Sequence, residues 1–359
     1  MRVLVVNAGS SSLKLSLLER DDATLWAQAL DAPHALADAE DVAAALAELP
    51  ALPDVVGHRI VHGGERFRDA VSVDAPVEAA LRELEELAPL HQPKSLAALD
   101  AVTRVLPTVP AVACFDTAFH ATLSPEAATY ALPREWRERW DLRRYGFHGL
   151  SHAYAARRAA ALAGDRARVV SCHLGAGASL CAIAAGRSID TTMGFTPLEG
   201  LVMASRSGSV DPGLMLWLQQ RGGLSVERVG RALELESGLV GLAGTADMRE
   251  LLARDDAAAH AAIGVYTHRL RAGIGAMTAS LGGLDALVFT GGVGAGSPRV
   301  RELACAGLAY LGVEIDDHRN DGVAGDGVVS PPDKPVGVLV VQAREDLEIA
   351  RQARALLGL

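Results

Sequence analysis

Three stretches of small residues follow short apolar runs, and each could bring backbone N–H groups close to a phosphate. Asn7 to Ser12 (NAGSSS) follows Val3 to Val6, His173 to Ser179 (HLGAGAS) follows Val169 to Cys172, and Gly291 to Gly296 (GGVGAG) follows Asp285 to Thr290. Glycine and serine add no bulk, so such turns can approach an anion closely. The third does not fit G-x-G-x-x-G, since Ser297 stands where the last glycine would be. Alone it reads as well as a tight structural turn as it does as a nucleotide loop. Arg59 in GHRIVHGG and Arg206 in SRSGS are wedged among small residues. A guanidinium there can grip an anion through two donors, whereas a typical arginine is a solvated surface charge. Asp116 follows the apolar run Ala111 to Phe115. A carboxylate at a strand end of an α/β fold can face the ligand crevice, and an N-cap or turn aspartate is the equal alternative. His58, His62, His91, His120, His148, His152 and His173 recur in the same motifs, and most of them are expected to hydrogen-bond around a polar cleft. No H-x-x-x-H pair with a neighbouring carboxylate stands out, which speaks against zinc.

Composition narrows the field. The chain has 359 residues, 34 basic and 44 acidic, so its formal net charge is −10. That balance speaks against a nucleic-acid partner, which needs a basic face. Lys14, Lys94 and Lys334 are the only lysines and none follows a glycine, so a Walker-type P-loop is excluded. The four cysteines, Cys114, Cys172, Cys181 and Cys305, form no C-x-x-C pair. A reduced, cytoplasmic protein is the expectation. The opening apolar run of MRVLVVNAGSSS is too short for a signal peptide or a membrane span, so no membrane partner is expected.

The elements that must position these residues can be sketched. Leu13, Leu15 and Leu17 alternate with Lys14 and Ser16, so Val3 to Leu17 reads as a β-hairpin with a small polar tip. Val169 to Ala184 repeats that unit, with Leu180 to Ala184 as the return strand, which suggests two related domains. PREWRERWDLRRY (133–145) reads as a connecting segment. Helical spacing is expected over 35–49, 78–88, 94–106, 151–163, 213–221, 225–236, 257–281 and 345–357, with a further helix from Ser297. Strands are expected over 109–115, 285–290 and 336–341. Mixed strands and helices in two similar halves mean an α/β protein.

These pieces together resemble the acetate kinases, the acetokinase family of short-chain carboxylate kinases within the actin-like and sugar-kinase-like ATPase superfamily. The matching strings run in order along nearly the whole chain: NAGSSSLKL (7–15), GHRIVHGG (57–64), FDTAFH (115–120), RRYGFHGLSH (143–152), CHLGAG (172–177), MGFTPLEGL (193–201), SRSGSVDPG (205–213), ADMR (246–249), VFTGGVGAGSPRVR (288–301) and AREDLEIA (343–350). The resemblance implies two duplicated ribonuclease-H-like (actin-like ATPase) domains with an interdomain cleft. It places an N-terminal domain in 1–120 plus 347–359 and a C-terminal domain, carrying most nucleotide contacts, in 121–346. It implies reversible phosphoryl transfer between ATP and acetate, giving acetyl phosphate and ADP, with Mg2+ or Mn2+, in a homodimer built through the second domain.

By the same resemblance, Arg59 corresponds to the arginine that holds the carboxylate or the transferring phosphoryl, and Arg206 to the second such arginine. His148 corresponds to the histidine that hydrogen-bonds the phosphoryl in flight, and Asp116 to the essential aspartate. Asn7 and Glu345 correspond to the metal-site residues. Lys14, Ser10 and Ser12 resemble the phosphate hairpin. His173, Leu174, Gly175, Ala176 and Gly177 match nucleotide-contacting positions, as do Asp247, Met248 and Arg249, and Gly292, Val293, Gly294, Ala295 and Gly296. Val61, Leu90, Phe147 and Pro197 fall where the family lines a small apolar acyl pocket. The residue types suit the chemistry. A carboxylate is already a nucleophile at neutral pH, so the difficulty is bringing an anion to a polyanion, which calls for positioning and charge neutralisation.

Some positions depart from the family pattern. Ala176 stands for the asparagine of G-N-G, Val293, Ala295 and Gly296 remove a carboxylate and an amide from G-I-G-E-N, and Leu150 stands for the threonine of F-H-G-T-S-H. Each lost hydrogen bond is worth about 0.5–1.5 kcal/mol, so the departures bear on nucleotide affinity or base preference. A small pocket separates acetate from propionate only weakly, because one methylene is worth about 0.8 kcal/mol. The rival readings are therefore a propionate or butyrate kinase, a family member using GTP or pyrophosphate, and a non-catalytic nucleotide sensor. Retention of Arg59, Asp116, His148 and Arg206 together argues against the sensor.

Overall fold

The computed structural model describes residues 1–9, 12–31, 39–88, 91–164 and 167–358. Two compact units are present, Met1–Ala121 with Arg344–Leu359, and Thr122–Ala343. Apolar runs broken by small residues build one six-stranded sheet in each. In the first unit these are β1 (Val3–Ala8), β2 (Ser12–Leu18), β3 (Thr24–Asp31), β4 (Val55–Ile60), β5 (Val71–Ser72) and β6 (Ala111–Phe115), in the order β3-β2-β1-β4-β6-β5. The second unit holds β7 (Arg168–Leu174), β8 (Ala178–Ala184), β9 (Arg187–Thr191), β10 (Ala286–Thr290), β11 (Gly327–Val328) and β12 (Gly337–Val340). From one edge its order is β9-β8-β7-β10-β12-β11.

The two orders are the same plan. Each begins with an antiparallel three-strand meander, continues with two parallel strands, and ends on a two-residue antiparallel edge. This is the duplicated ribonuclease-H-like, actin-like arrangement, and the duplication extends to the edge strands.

Packing explains the glycine in GHR. On one face of the first sheet, Leu4, Val6, Leu13 and Leu15 bury against the helices Ala39–Ala47 and Gln92–Val105. On the other lies the helix Glu345–Leu356, which buries Ile349, Ala350 and Ala353. A Cβ on Gly57 would stand 2.6 Å from Ile349 Cγ2, so only glycine lets this helix seat so closely. The seating brings Glu345, the first helical residue, to Asn7 at the end of β1.

Several expectations change in detail. His173 and Leu174 finish β7 while Ala178 and Ser179 begin β8, so the second turn is only Gly175 to Gly177. The GGVGAG stretch is a short helix, Gly291–Gly296, followed after Ser297 by Pro298–Cys305. The connecting segment contains the helix Arg134–Trp140. Strands β3, β4, β5, β9 and β11 have no counterpart in the pattern reading. The helix expected over 35–49 has its described part in Ala39–Ala47. The longest helix, Ala257–Leu281, falls where its spacing puts it, because Asp256 caps its start and Gly282 (φ 65°) ends it. No helix among the described residues is long and apolar enough to cross a membrane.

Gly57→Ala should destabilise the protein by about 1–3 kcal/mol through overpacking against Ile349. Combined with Ile349→Ala, the total cost should be less than the sum of the two single changes. Urea unfolding of the three variants measures both quantities.

Candidate active site

In the first unit the chemistry-bearing residues collect at the carboxyl ends of β1, β4 and β6. Arg59 stands on β4, and Asp116 follows β6 with its N–H donating to Ile60 O at 3.0 Å. The Arg59 fork grips Asp116 through Nε to Oδ1 at 3.2 Å and Nη2 to Oδ2, and Nη1 donates to Ala8 O at 2.7 Å. Asp116 is 1% exposed and the Arg59 side chain 12%. Burial pushes the Asp116 carboxyl upward; the Arg59 charge and hydrogen bonds pull it back, and nearby Glu345 adds to the rise. Burial works against the Arg59 cation, but Asp116 and Glu345 outweigh it and hold the guanidinium above its ordinary value. Asn7 Nδ2 donates to Glu345 Oε2 at 2.8 Å. Asn7 also pairs in register with Lys14, whose side chain is exposed on β2, and Ser12 starts that strand. Ser10 and Leu90 lie outside the described residues.

Val61 is buried just beyond β4, in a loop held by buried side chains. Gln92 accepts from His62 N and donates to His62 O, both at 3.1 Å, and Thr117 Oγ1 accepts from Gly63 N at 3.0 Å. Burial lowers His62 to about 4 and His58 to about 3, so both rings are neutral. His58 departs from the polar-cleft expectation. It is buried on β4, and neither ring nitrogen has a hydrogen-bond partner among the described residues.

In the second unit His148 precedes the helix Gly149–Ala163 in the left-handed conformation, φ 57°, which is costly for any residue but glycine. The bend puts its Nδ1 2.9 Å from Ser179 Oγ on β8, and its ring tilts over His173 with centroids 4.3 Å apart. His152, one helical turn on, reaches Ser179 Oγ at 2.8 Å and Ser171 Oγ at 2.9 Å. Ser151 Oγ is 2.7 Å from His173 Nδ1. Arg206 donates from Nη1 to Pro197 O at 3.0 Å and pairs through Nε with Glu234 at 3.4 Å. Burial lowers Arg206 and Glu234 opposes that; a guanidinium still keeps its charge at neutral pH. Gly177 lies between these groups. A Cβ there would be 3.2 Å from His148 Nε2 and 3.7 Å from Arg206 Nη1, so a ring nitrogen and a guanidinium nitrogen converge on a space that any side chain would fill.

The other matched positions lie in the same unit. Phe147 and Pro197 are buried. Gly175 N donates to Gly177 O at 2.9 Å, which closes the turn that exposes Ala176. Asp247 caps the helix Met248–Ala253 and pairs with Arg249, an interaction that lowers it to about 2. Gly291 and Gly294 pack against Leu174, whereas Gly292 and Gly296 face open space. Val293 and Ala295 are half-buried. Leu150 is buried within its helix, so the loss of a threonine there is a change of packing.

Two groups of supporting residues escaped the pattern reading. Arg301 is 1% exposed and donates to Gly294 O, Ala295 O, Asn320 Oδ1 and Asn320 O, which clamps the GGVGAG helix from below. Tyr130 and Arg144 both bind Glu199, and Arg144 also holds Thr192 O and Met193 O, which fixes the loop carrying Pro197. A signal existed for the serines. Beyond Arg168 at the start of β7, Ser171, His173 and Ser179 are the polar residues of otherwise apolar strands, and buried polar groups need partners.

Comparison with known proteins bears on the family and the fold. The sequence model of the acetokinase family matches residues 40–351. An acetate kinase of Gloeobacter violaceus is 43% identical over 399 residues, covering 98% of this chain and 98% of its own. The crystal structure of the Porphyromonas gingivalis acetate kinase has a TM-score of 0.89 at 35% identity, covering 99% of each chain. That of a Francisella tularensis propionate kinase has a TM-score of 0.88 at 33% identity, covering 98% of each.

Arg301→Leu would leave four buried acceptors without their donor, at about 1–3 kcal/mol for each one that finds no substitute. Thermal unfolding should show a loss of several degrees. Arg301→Lys should recover only part, because an ammonium cannot reproduce the fork.

Proposed function

Because the chain belongs to the acetokinase family, kinases that phosphorylate a carboxylate with ATP and a divalent metal, we propose that it transfers the γ-phosphoryl of ATP reversibly to acetate. One observation carries the site assignment. His148 Nε2 and Arg206 Nη1 converge beside Gly177, where two donors and no side chain suit an oxygen of a transferring phosphoryl group.

In this reading a carboxylate oxygen forms the new bond to phosphorus while the β,γ-bridging oxygen leaves with ADP. No base is required, since acetate is ionised at neutral pH. Arg206 and Arg59 neutralise charge on the phosphoryl and the carboxylate, and His148 donates to the phosphoryl. Asp116 holds the Arg59 fork in a single orientation. Val61, Phe147 and Pro197 supply apolar surface for a short acyl chain. Lys14 and Ser12, with the segments His173–Gly177, Asp247–Arg249 and Gly292–Gly296, meet the nucleotide.

The metal is proposed to be Mg2+. Asn7 and Glu345 offer an amide and a carboxylate oxygen, the hard donors it takes alongside phosphate and water. Asp116 and Glu345 also repel each other beside the Arg59 cation, and a divalent ion near them would offset that repulsion. When bound, the ion would neutralise phosphate oxygens. A propionate reading is favoured by one observation, the 33% identity to a propionate kinase over 98% of both chains.

A second copy of the chain is proposed to cover the second unit's exposed apolar residues. Leu214, Leu216 and Trp217 on Pro212–Gln220, and Val226 and Leu235 on Val226–Leu235, stand clear of the unit's core. Sedimentation velocity should show a dimer that Trp217→Arg weakens.

Hydroxylamine trapping of acyl phosphate, with acetate, propionate and butyrate each tested against ATP, GTP and pyrophosphate, checks the activity. The highest kcat/KM is expected for acetate with ATP, and no product with any pair would overturn the reading. Arg206→Ala should lower kcat by about 10³–10⁵ with the fold intact by circular dichroism. Glu345→Gln should raise the half-saturating Mg2+ concentration by about 10–100-fold.

A further inference from the structure

The polar residues buried behind His148 form one chain of hydrogen bonds. Ser171 Oγ lies 2.9 Å from His152 Nδ1, His152 Nε2 lies 2.8 Å from Ser179 Oγ, and Ser179 Oγ lies 2.9 Å from His148 Nδ1. Ser171, Ser179 and His152 are fully buried. A hydroxyl has one proton and donates once. Ser179 either donates to one histidine and accepts from the other, or accepts from both and leaves its own buried proton unused; the cost of that unused proton selects the first arrangement, which couples the tautomers of the two rings.

Counting protons chooses the direction. Suppose the chain ran from His148 towards Ser171. His148 would donate from Nδ1, Ser179 would donate to His152 Nε2, and His152 would donate from Nδ1 to Ser171. The Ser171 proton would then be left buried without an acceptor, because Ser171 makes no other side-chain hydrogen bond among the described residues. In the opposite direction both hydroxyl protons and the His152 ring proton find acceptors. Ser171 donates to His152 Nδ1, His152 Nε2–H donates to Ser179, and Ser179 donates to His148 Nδ1. The proton of a neutral His148 then sits on Nε2, the nitrogen beside Gly177 and Arg206.

We propose that Ser179, backed by His152 and Ser171, is a positioning residue that fixes His148 as its Nε2–H tautomer. His148 so fixed donates to a phosphoryl oxygen without first taking up a proton. That consequence rests on the phosphoryl-transfer reading; the tautomer lock does not.

The test uses the full ¹⁵N-labelled chain without ligands and reads histidine tautomers from two-bond ¹H–¹⁵N correlations. His148 should show the Nε2–H pattern. Ser179→Ala and, separately, Ser171→Ala should convert it to a mixture, and Ser179→Thr, which keeps the hydroxyl, should preserve it. In the hydroxylamine assay Ser179→Ala should lower kcat by up to about 10²-fold, the scale of losing one positioned donor, with KM near wild type. Ser179→Thr should recover most of that loss. An Nδ1–H His148 in the wild type, or the wild-type pattern persisting in both alanine variants, overturns the proposal. If the spectra behave as expected while no acyl phosphate forms, the lock stands and the functional reading falls.

Discussion

The first unit depends on one buried ion pair. Taking a carboxylate such as Asp116 out of water costs several kcal/mol, which only a well-placed counter-ion with matching hydrogen bonds offsets. The strand order provides the counter-ion. β4 lies between β1 and β6, so Arg59 can reach Asp116 beyond the end of one neighbour and Ala8 O at the end of the other. The planar fork of arginine serves here as a structural tie across three strands, a task that lysine's point charge could not perform. Gly57 completes the arrangement from two residues away, because the helix it admits delivers Glu345 to Asn7. The end of β1, the ion pair and the last helix are thus parts of one electrostatic unit.

The second unit solves a different problem. Its candidate site is held by serine hydroxyls and imidazoles packed under one helix. Such networks are rigid when every donor and acceptor is used and unstable when one is missing. The left-handed turn at His148 is stable because Ser179 below and His173 beside it over-determine the ring. Charge enters this unit's site through Arg206, which Glu234 and Pro197 O hold in place.

What could be read in the sequence follows the same division. The hairpins announced themselves because an apolar β-branched run, a small-residue turn and strict alternation leave few alternatives, and Ala257–Leu281 because a cap and a glycine bound it. β3 escaped because it is an edge strand whose residues are exposed or half-buried, so alternation carries little hydrophobic contrast. β4 escaped because its two most chemical residues, His58 and Arg59, interrupt the apolar pattern. The GGVGAG helix is unreadable in principle. Six residues rich in glycine have almost no helical propensity, and the segment is helical because Arg301 and Leu174 hold it from outside. The candidate site was legible where residue type and motif coincide, as for Arg59, Asp116 and His148. It was opaque where a residue acts through another, as for Ser179 and Arg301.

That distinction also explains what the departures from the family pattern can change. At the second turn the backbone does the holding: Gly175 N meets Gly177 O, and Ala176 O accepts from Ala204 N at 3.1 Å. Neither bond needs a particular side chain at position 176. The GGVGAG helix is fixed by Gly291 and Gly294 against Leu174 and by Arg301 on its carbonyls, none of which involves the side chains of Val293 or Ala295. Both segments therefore keep their positions while offering fewer polar groups. On the proposed reading the altered residues bear on how tightly a nucleotide is held and which base is preferred. The groups proposed to act on the phosphoryl are anchored by separate interactions, so a weaker grip on the nucleotide leaves their geometry untouched.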